Sequence, residues 1–127
     1  VTVDVKQRNT SAFAAYPEIV AVEGDAASDR VVDAVAARVR PGIDILFIDG
    51  DHQYLPTKAV VTKYGNRLRP KWVILDNIHC GWSMEKVWAS AHRVYPGLAY
   101  DAGNELGFQA PTGFGVIDCR NVRSYAL

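Results

Sequence analysis

Two short apolar runs end in polar residues whose side chains could do chemistry. Residues 45–48 read Ile-Leu-Phe-Ile and precede Asp49, while residues 73–75 read Val-Ile-Leu and precede Asp76 and Asn77. Unbroken runs of branched apolar residues are typical of strands buried on both faces of a parallel sheet. Ligands of such sheets bind beyond the carboxyl ends of the strands. We therefore expect one edge of the sheet to gather the polar residues that follow these runs: Asp49, Asp51, His52, Asp76 and Asn77.

Three of these residues form a candidate metal site. Asp49, Asp76 and Asn77 offer two carboxylates and an amide oxygen. Such an all-oxygen set suits a hard divalent cation such as Mg²⁺, with waters or substrate oxygens completing the octahedron. The alternative interpretation is that these side chains cap helices and order loops.

His52 is the candidate catalytic residue. It follows Asp49 by three positions, on the loop that leaves the strand. An imidazole can accept a proton near neutral pH, so His52 could act as a general base. The alternative is a loop histidine bonded to Asp51. Three aromatic residues could wall a nearby pocket or simply pack at its rim: Tyr54, Trp82 and Phe108.

The order of apolar runs and helix-length segments predicts the fold class. It reads β-α-β-α-β-α-β-α-β-β, which favours an α/β protein with a doubly wound, mostly parallel sheet. The clearest helix is 28–40, which has Val31, Val32 and Val35 on one face and Ser28 at its N-cap. The last two strands, near 98–101 and 113–119, should form an antiparallel hairpin because no helical crossover fits between them.

Composition limits the classes of protein that remain. The chain has 127 residues, no net formal charge and 49% hydrophobic residues, which suffices for a single domain over residues 1–127. The neutral balance argues against a nucleic-acid partner or a polybasic membrane surface, and no apolar run is long enough to span a bilayer. Cys80 and Cys119 are far apart, which predicts free thiols and a cytoplasmic protein. A homo-oligomer is left open.

Four segments in order resemble the class I S-adenosylmethionine-dependent methyltransferases, which have a Rossmann-like fold. They are Asp4, the Glu-Gly-Asp-Ala of 23–26, the Phe-Ile-Asp-Gly-Asp-His-x-Tyr of 47–54, and the Asp-Asn of 76–77. The third segment is similar to small-molecule O-methyltransferases and cephalosporin-hydroxylase-like proteins. The Asp-Asn pair is similar to the cation-dependent catechol-type O-methyltransferases.

The resemblance implies a function and a role for each matching residue. Methyl transfer from S-adenosylmethionine to a hydroxyl of a small molecule is expected, assisted by a divalent cation such as Mg²⁺. Asp4 would bind the cofactor ribose, and Asp25 with Ala26 would lie along the adenine. Asp49 would serve both the cofactor and the metal, alongside Asp76 and Asn77. His52 stands where the catechol-type enzymes carry a lysine base.

One departure from the family pattern shapes a further expectation. The family's first strand and its glycine-rich loop do not occur in the sequence and would lie upstream of Val1, so the chain is expected to be N-terminally incomplete.

Three other classes of protein are alternatives. A haloacid-dehalogenase-type phosphatase would use the Asp-Gly-Asp of 49–51, although that family has other residues where His52 and Gln53 stand. A receiver-like signalling domain would need acidic, hydroxyl and lysine residues at strand ends that the sequence lacks. A degenerate, non-catalytic methyltransferase-like binding domain is the stronger alternative.

Overall fold

The protein has a mixed α/β fold made of two compact units. The computed structural model describes residues 1–7, 10–107 and 111–127. The units are Val1–Arg40 and Pro41–Leu127. The first contains β1 (Thr2–Asp4), α1 (Thr10–Ala15), β2 (Ala21–Glu23) and α2 (Asp29–Ala36). The second contains β3 (Ile45–Ile48), α3 (Tyr54–Leu68), β4 (Trp72–Asp76), α4 (Trp82–Val94), β5 (Ala99–Asp101), α5 (Ala102–Glu105) and β6 (Phe114–Asp118).

The first unit is a parallel strand pair with an amphipathic helix. β1 and β2 pair in register from Thr2 with Ala21 to Asp4 with Glu23. Helix α2 buries the predicted face of Val31, Val32 and Val35. It ends at Ala36 rather than at Arg40, because the following turn tightens: the Arg38 amide donates to the Val35 carbonyl, three residues back.

The second unit is a four-stranded sheet in the order β3-β4-β6-β5. β3 and β4 are parallel, whereas β6 is antiparallel to both of its neighbours. The predicted antiparallel pairing of the last two strands is therefore confirmed. The prediction of a mostly parallel sheet is not, since two of the four ladders in the described residues are antiparallel.

Helices α3 and α4 supply the main core of the second unit together with one face of its sheet. The core comprises Ile48, Val61, Val73, Leu75, Ile78, Met84, Val87, Trp88, Ala91, Tyr95, Ala99, Ile117, Cys119 and Tyr125. Successive side chains of a strand point to opposite faces, so every second residue of the central strands β4 and β6 is buried.

The prediction that residues 45–48 are buried on both faces is wrong. In the described residues β3 pairs with β4 alone, so it is an edge strand of the second unit's sheet. Ile48 is buried on the core face, but Ile45 and Phe47 point the other way and are 54% and 53% exposed. The Phe47 ring packs against Phe114 at 6.0 Å between centroids. An apolar run marks strand formation but does not reveal how many faces are covered.

The C-terminal segment is held to α3 through Tyr125. Its ring is buried, and its hydroxyl donates to the Pro70 carbonyl at 2.8 Å. Asn66 brackets the Tyr125 backbone, since Oδ1 accepts from its amide and Nδ2 donates to its carbonyl. The ring lies against Gly65, where an added Cβ would be only 2.6 Å from the Tyr125 Cβ.

We predict that Gly65→Ala destabilises the protein. The new methyl group must displace the buried Tyr125 side chain, and overpacking of this kind lowers the free energy of unfolding by about 1–3 kcal/mol. Urea unfolding of the purified variant measures the loss. Gly50→Ala is the control, because nothing lies within 4 Å of its added Cβ. Equal midpoints for Gly65→Ala and wild type would contradict this packing.

Alkaline pH should destabilise the second unit through two buried acids. Burial raises the pKa of Cys119 to about 11 and that of Tyr125 to about 12, from 9.0 and 10.0. The unfolded chain therefore loses these protons first, so stability holds below pH 9 and falls as pH rises toward 12. Urea unfolding across this range checks it. Cys119→Ala should flatten the slope between pH 9 and 11, and an unchanged slope would count against the assignment.

Candidate functional site

The carboxyl ends of β3 and β4 bring the predicted acidic residues together. The parallel register sets Ile48 beside Leu75, so Asp49 and Asp76 leave neighbouring strands at the same level. One ligand atom from each of Asp49, His52 and Asp76 can be chosen so that all lie within 4.8 Å of one another. The predicted gathering of these side chains at one sheet edge is confirmed.

His52 connects the loops that follow the two strands. Its Nε2 lies 3.5 Å from Asp49 Oδ1 and 3.0 Å from Asn77 Nδ2. An amide nitrogen is a donor, so the contact with Asn77 Nδ2 suits the His52 tautomer whose Nε2 accepts. The Nε2 atom of His52 therefore lies beside both the Asn77 amide and the Asp49 carboxylate. Sequence analysis predicted the nearby carboxylate but missed the bond to Asn77.

The backbone at this site is unusual. His52 has φ 56° and Asn77 has φ 58°, so both lie in the left-handed region. Among non-glycine residues in the described part of the chain, only Arg69 shares this feature. Asparagine tolerates the conformation, whereas for histidine it costs of order 1 kcal/mol. Strained backbone of this kind concentrates at functional sites, where it aims side chains.

Asp51, also predicted at this edge of the sheet, lies outside the group of Asp49, His52 and Asp76. Asp51 is exposed, and its Oδ1 accepts from the Gln53 amide at 3.1 Å. It therefore orders the turn into α3. The alternative in which His52 is bonded to Asp51 is not what the structure has, because the polar partners of His52 are Asp49 and Asn77.

The predicted cofactor residues of the first unit lie at the carboxyl ends of its two strands. Asp4 is the last residue of β1 and is exposed, and its Oδ1 accepts from the Lys6 amide at 3.3 Å. Asp25 follows β2 and is also exposed, and its Oδ1 accepts from the Ala27 amide at 2.8 Å. Ala26, which follows Asp25, is half-buried. Each aspartate thus has one oxygen in a local turn and the other as its potential ligand atom.

A second histidine pairs with a carboxylate that the sequence did not single out. His79 Nε2 lies 2.7 Å from Asp101 Oδ2, and Asp101 is the N-cap of α5, where its Oδ1 accepts from the Asn104 amide. Burial works to raise the pKa of Asp101, but the hydrogen bonds from His79 and Asn104 prevail and hold it below its ordinary value. This pair ties β5 and α5 to the loop after β4. Phe108, predicted as a pocket wall, lies outside the described residues.

The cluster of Asp49, His52 and Asp76 could hold a divalent cation. Two carboxylates and one imidazole nitrogen suit Mn²⁺, Fe²⁺ or Zn²⁺, while the oxygen ligands alone suit Mg²⁺. The side chains of His52 and Asp49 are 27% and 54% exposed, so a bound ion would keep water or substrate ligands. Asn77 presents Nδ2 to His52 and leaves Oδ1 as the atom that could reach a cation.

Comparison of the chain with protein-family models, with curated proteins and with solved structures gave no significant match in any of the three. In the described residues, no helix combines the length and the apolar character that crossing a membrane requires.

We predict that replacing His52 by glycine gives a more stable protein than replacing it by alanine. Glycine adopts a φ of 56° without strain, whereas alanine keeps the cost, so the difference should be about 0.5–1 kcal/mol after the entropy of the unfolded chain is counted. Chemical unfolding of the two variants measures it. Ala89→Gly, in the exposed interior of α4, is the control and should lose stability instead. If alanine proved the better replacement at position 52, the strained conformation would be refuted.

Proposed function

We propose that the protein transfers a methyl group from S-adenosylmethionine to a hydroxyl of a small molecule, with a divalent cation held by Asp49 and Asp76. One observation carries the proposal: the ligand atoms of Asp49, His52 and Asp76 lie within 4.8 Å of one another at the ends of two parallel strands. The resemblance of 47–54 and 76–77 to cation-dependent O-methyltransferases supplies the reaction.

The charge of the site supports a cation. Two carboxylates within this distance repel each other unless a positive group lies between them, and neither has a lysine or arginine as an ion-pair partner among the described residues. Asn77 Oδ1 would complete the protein ligands on the same side. Bound there, a divalent cation would favour the ionised form of a coordinated substrate hydroxyl.

His52 is proposed as the base. Its Nε2 carries the lone pair in the tautomer that the Asn77 bond selects, and it faces the acidic group. That nitrogen could take the proton of the acceptor hydroxyl, while Asp49 at 3.5 Å would stabilise the resulting imidazolium. S-adenosylmethionine supplies an electrophilic methyl group, so the remaining task of these residues is to position and deprotonate the acceptor oxygen.

Asn77 is proposed to orient that base. Its amide bonds directly to the nitrogen that would take the proton, so it fixes the plane and the tautomer of the ring. The amide must release Nε2 as the acceptor hydroxyl arrives. A competing assignment makes Nε2 a third metal ligand, in which case His52 could not accept the proton.

We also propose that the fold of the chain belongs to the Rossmann-like, doubly wound class. Two features support this: parallel pairing of β1 with β2 and of β3 with β4, and an acidic residue at or just after the carboxyl end of each of these four strands. In such a fold, the free side-chain oxygens of Asp4 and Asp25 would bind the ribose and the adenine end of the cofactor, with Ala26 alongside. The protein would then act on a small molecule in the cytoplasm.

The cation is tested first, by titration of the protein with Mn²⁺ and Mg²⁺ in a calorimeter. Asp76→Asn should weaken binding at least tenfold, about what the loss of even an outer-shell partner costs a metal site. Asp44→Asn is the matched control, since it removes the same charge from an exposed residue paired with Lys71 before β3 begins. Equal weakening in both variants would reduce the effect to general electrostatics and remove the metal site.

Methyl transfer is tested with S-adenosylmethionine carrying a tritiated methyl group and a panel of catechols, sugars and other hydroxyl acceptors. The proposal expects label in an acceptor, loss of transfer with EDTA and in Asp76→Asn, and retention in Asp44→Asn. In His52→Gln, transfer should fall, whereas metal affinity persists if His52 is a base.

Two outcomes would redirect the proposal. Binding of S-adenosylmethionine without transfer to any acceptor favours the non-catalytic methyltransferase-like domain. Absence of both binding and transfer, in protein that binds Mn²⁺ as expected, would reject the methyltransferase assignment and leave the metal site standing.

A further inference from the structure

Helices α3 and α4 carry a local excess of positive charge. The chain is neutral overall, yet α3 contains Lys58, Lys63 and Arg67 and no acidic residue. Helix α4 contains Lys86 and Arg93 with Glu85 as its single acidic residue. The helical layer of the second unit is therefore basic, in contrast to the acidic strand ends.

Two of these cations contact two hydroxyl groups between the helices. Lys58 Nζ donates to the Tyr54 hydroxyl at 3.4 Å, and Arg93 donates to the Ser90 hydroxyl at 3.3 Å. The two hydroxyls lie 3.4 Å apart. Residues 54 and 58 lie one turn apart on α3, and residues 82, 86, 90 and 93 lie along one side of α4, so two facing stripes form the cluster.

Lys86 completes the cluster by resting on two aromatic rings. Its Nζ is 4.4 Å from the ring centroid of Tyr54 and 4.9 Å from that of Trp82. Lys58 Nζ also lies 5.0 Å from the Tyr54 centroid. Rings attract a cation through their negative faces but do not neutralise it. Trp82 is 71% exposed, which leaves one flat aromatic surface open beside the charges.

The charges of this cluster lack a counterion within the protein. In the described part of the chain, no carboxylate lies within ion-pair distance of Lys58, Lys86 or Arg93. Lys58 and Arg93 donate to neutral hydroxyls at 3.4 and 3.3 Å, distances longer than usual, so these donors can turn toward a stronger acceptor. Hydrogen bonds with Ser90 and Lys58 hold the pKa of Tyr54 below its ordinary value.

We propose that Tyr54, Lys58, Lys86, Ser90 and Arg93 form a binding site for a phosphate or sulfate group. Three cations and two hydroxyls match the number and the spread of acceptor oxygens on such a group. Ser90 is buried, so packing fixes its hydroxyl beside the lysine side chains. The site is independent of methyl transfer and would stand if that proposal failed.

Trp82 extends the proposal to the part of the ligand beyond the anion. An exposed indole next to the cations suits a flat ring attached to the phosphate or sulfate. An aromatic phosphate monoester should therefore bind more tightly than inorganic phosphate, and Trp82→Ala should abolish that difference while leaving the affinity for inorganic phosphate unchanged. Equal affinities in the wild-type protein would identify a free oxyanion as the ligand.

The experiment is an NMR titration of the whole chain with inorganic phosphate, with sodium chloride at matched ionic strength as the reference. The amide signals of Tyr54 and Ser90 should shift to saturation. Lys58→Gln and Lys86→Gln should each weaken binding about tenfold, the scale of one charge-assisted hydrogen bond. Lys71→Gln is the control, because it removes the same charge from an exposed lysine paired with Asp44.

The result that overturns the proposal is equally specific. Shifts that grow without saturation, or that match those produced by chloride, would mean that the cluster is only a solvated basic surface. Equal weakening by Lys71→Gln would mean the same. The glutamine variants alter side chains on the helix surface, so their unchanged far-ultraviolet circular dichroism serves as the check that folding is intact.

Discussion

The parallel ladder between β3 and β4 is the constraint on which the second unit's site depends. Its register sets Ile48 level with Leu75, and both side chains are buried against α3 and α4. A slip by one residue would turn these apolar side chains to the opposite face and expose the core, so the register is fixed by burial. Because the register is fixed, Asp49 and Asp76 must leave the sheet together. The free energy gained by burying Ile48 and Leu75 thus offsets the repulsion between the Asp49 and Asp76 carboxylates.

Local backbone conformation then converts this approach into a cluster with defined geometry. The left-handed turns at His52 and Asn77 let two side chains from different loops meet at 3.0 Å. The left-handed conformation suits glycine and asparagine, so Asn77 adopts it readily but His52 does not. Packing against the core must therefore hold the loop after β3 in place. The adjacent helix contributes as well, since α3 begins at Tyr54 and buries Thr57 and Val61 within its first two turns.

Much of the second unit could be predicted from the sequence, because apolar runs mark its strands and proline or glycine residues mark where its helices and strands end. The strands that end near Asp49 and Asp76 and the antiparallel pairing of the last two strands follow from such signals. The exposure of Ile45 and Phe47 did not follow, because neighbouring strands are set by long-range pairing. The bond of His52 to Asn77 was hidden for another reason: it depends on dihedral angles that no spacing rule encodes.

The two halves of the basic cluster could have been predicted from the sequence, but not their contact with each other. A lysine at i+4 from Tyr54 and cations at i+4 and i+11 from Trp82 mark two helix stripes, but only the packing of α3 on α4 makes them face each other. Tyr54 follows His52 by two residues, so their Cα atoms are separated by at most about 7 Å. Along the chain, Asp49 therefore precedes this short loop and the first residues of the basic cluster, Tyr54 and Lys58, follow it. The acidic site and the basic cluster rest on different contacts, so each can be tested with its own probe: a divalent cation for the first and inorganic phosphate for the second.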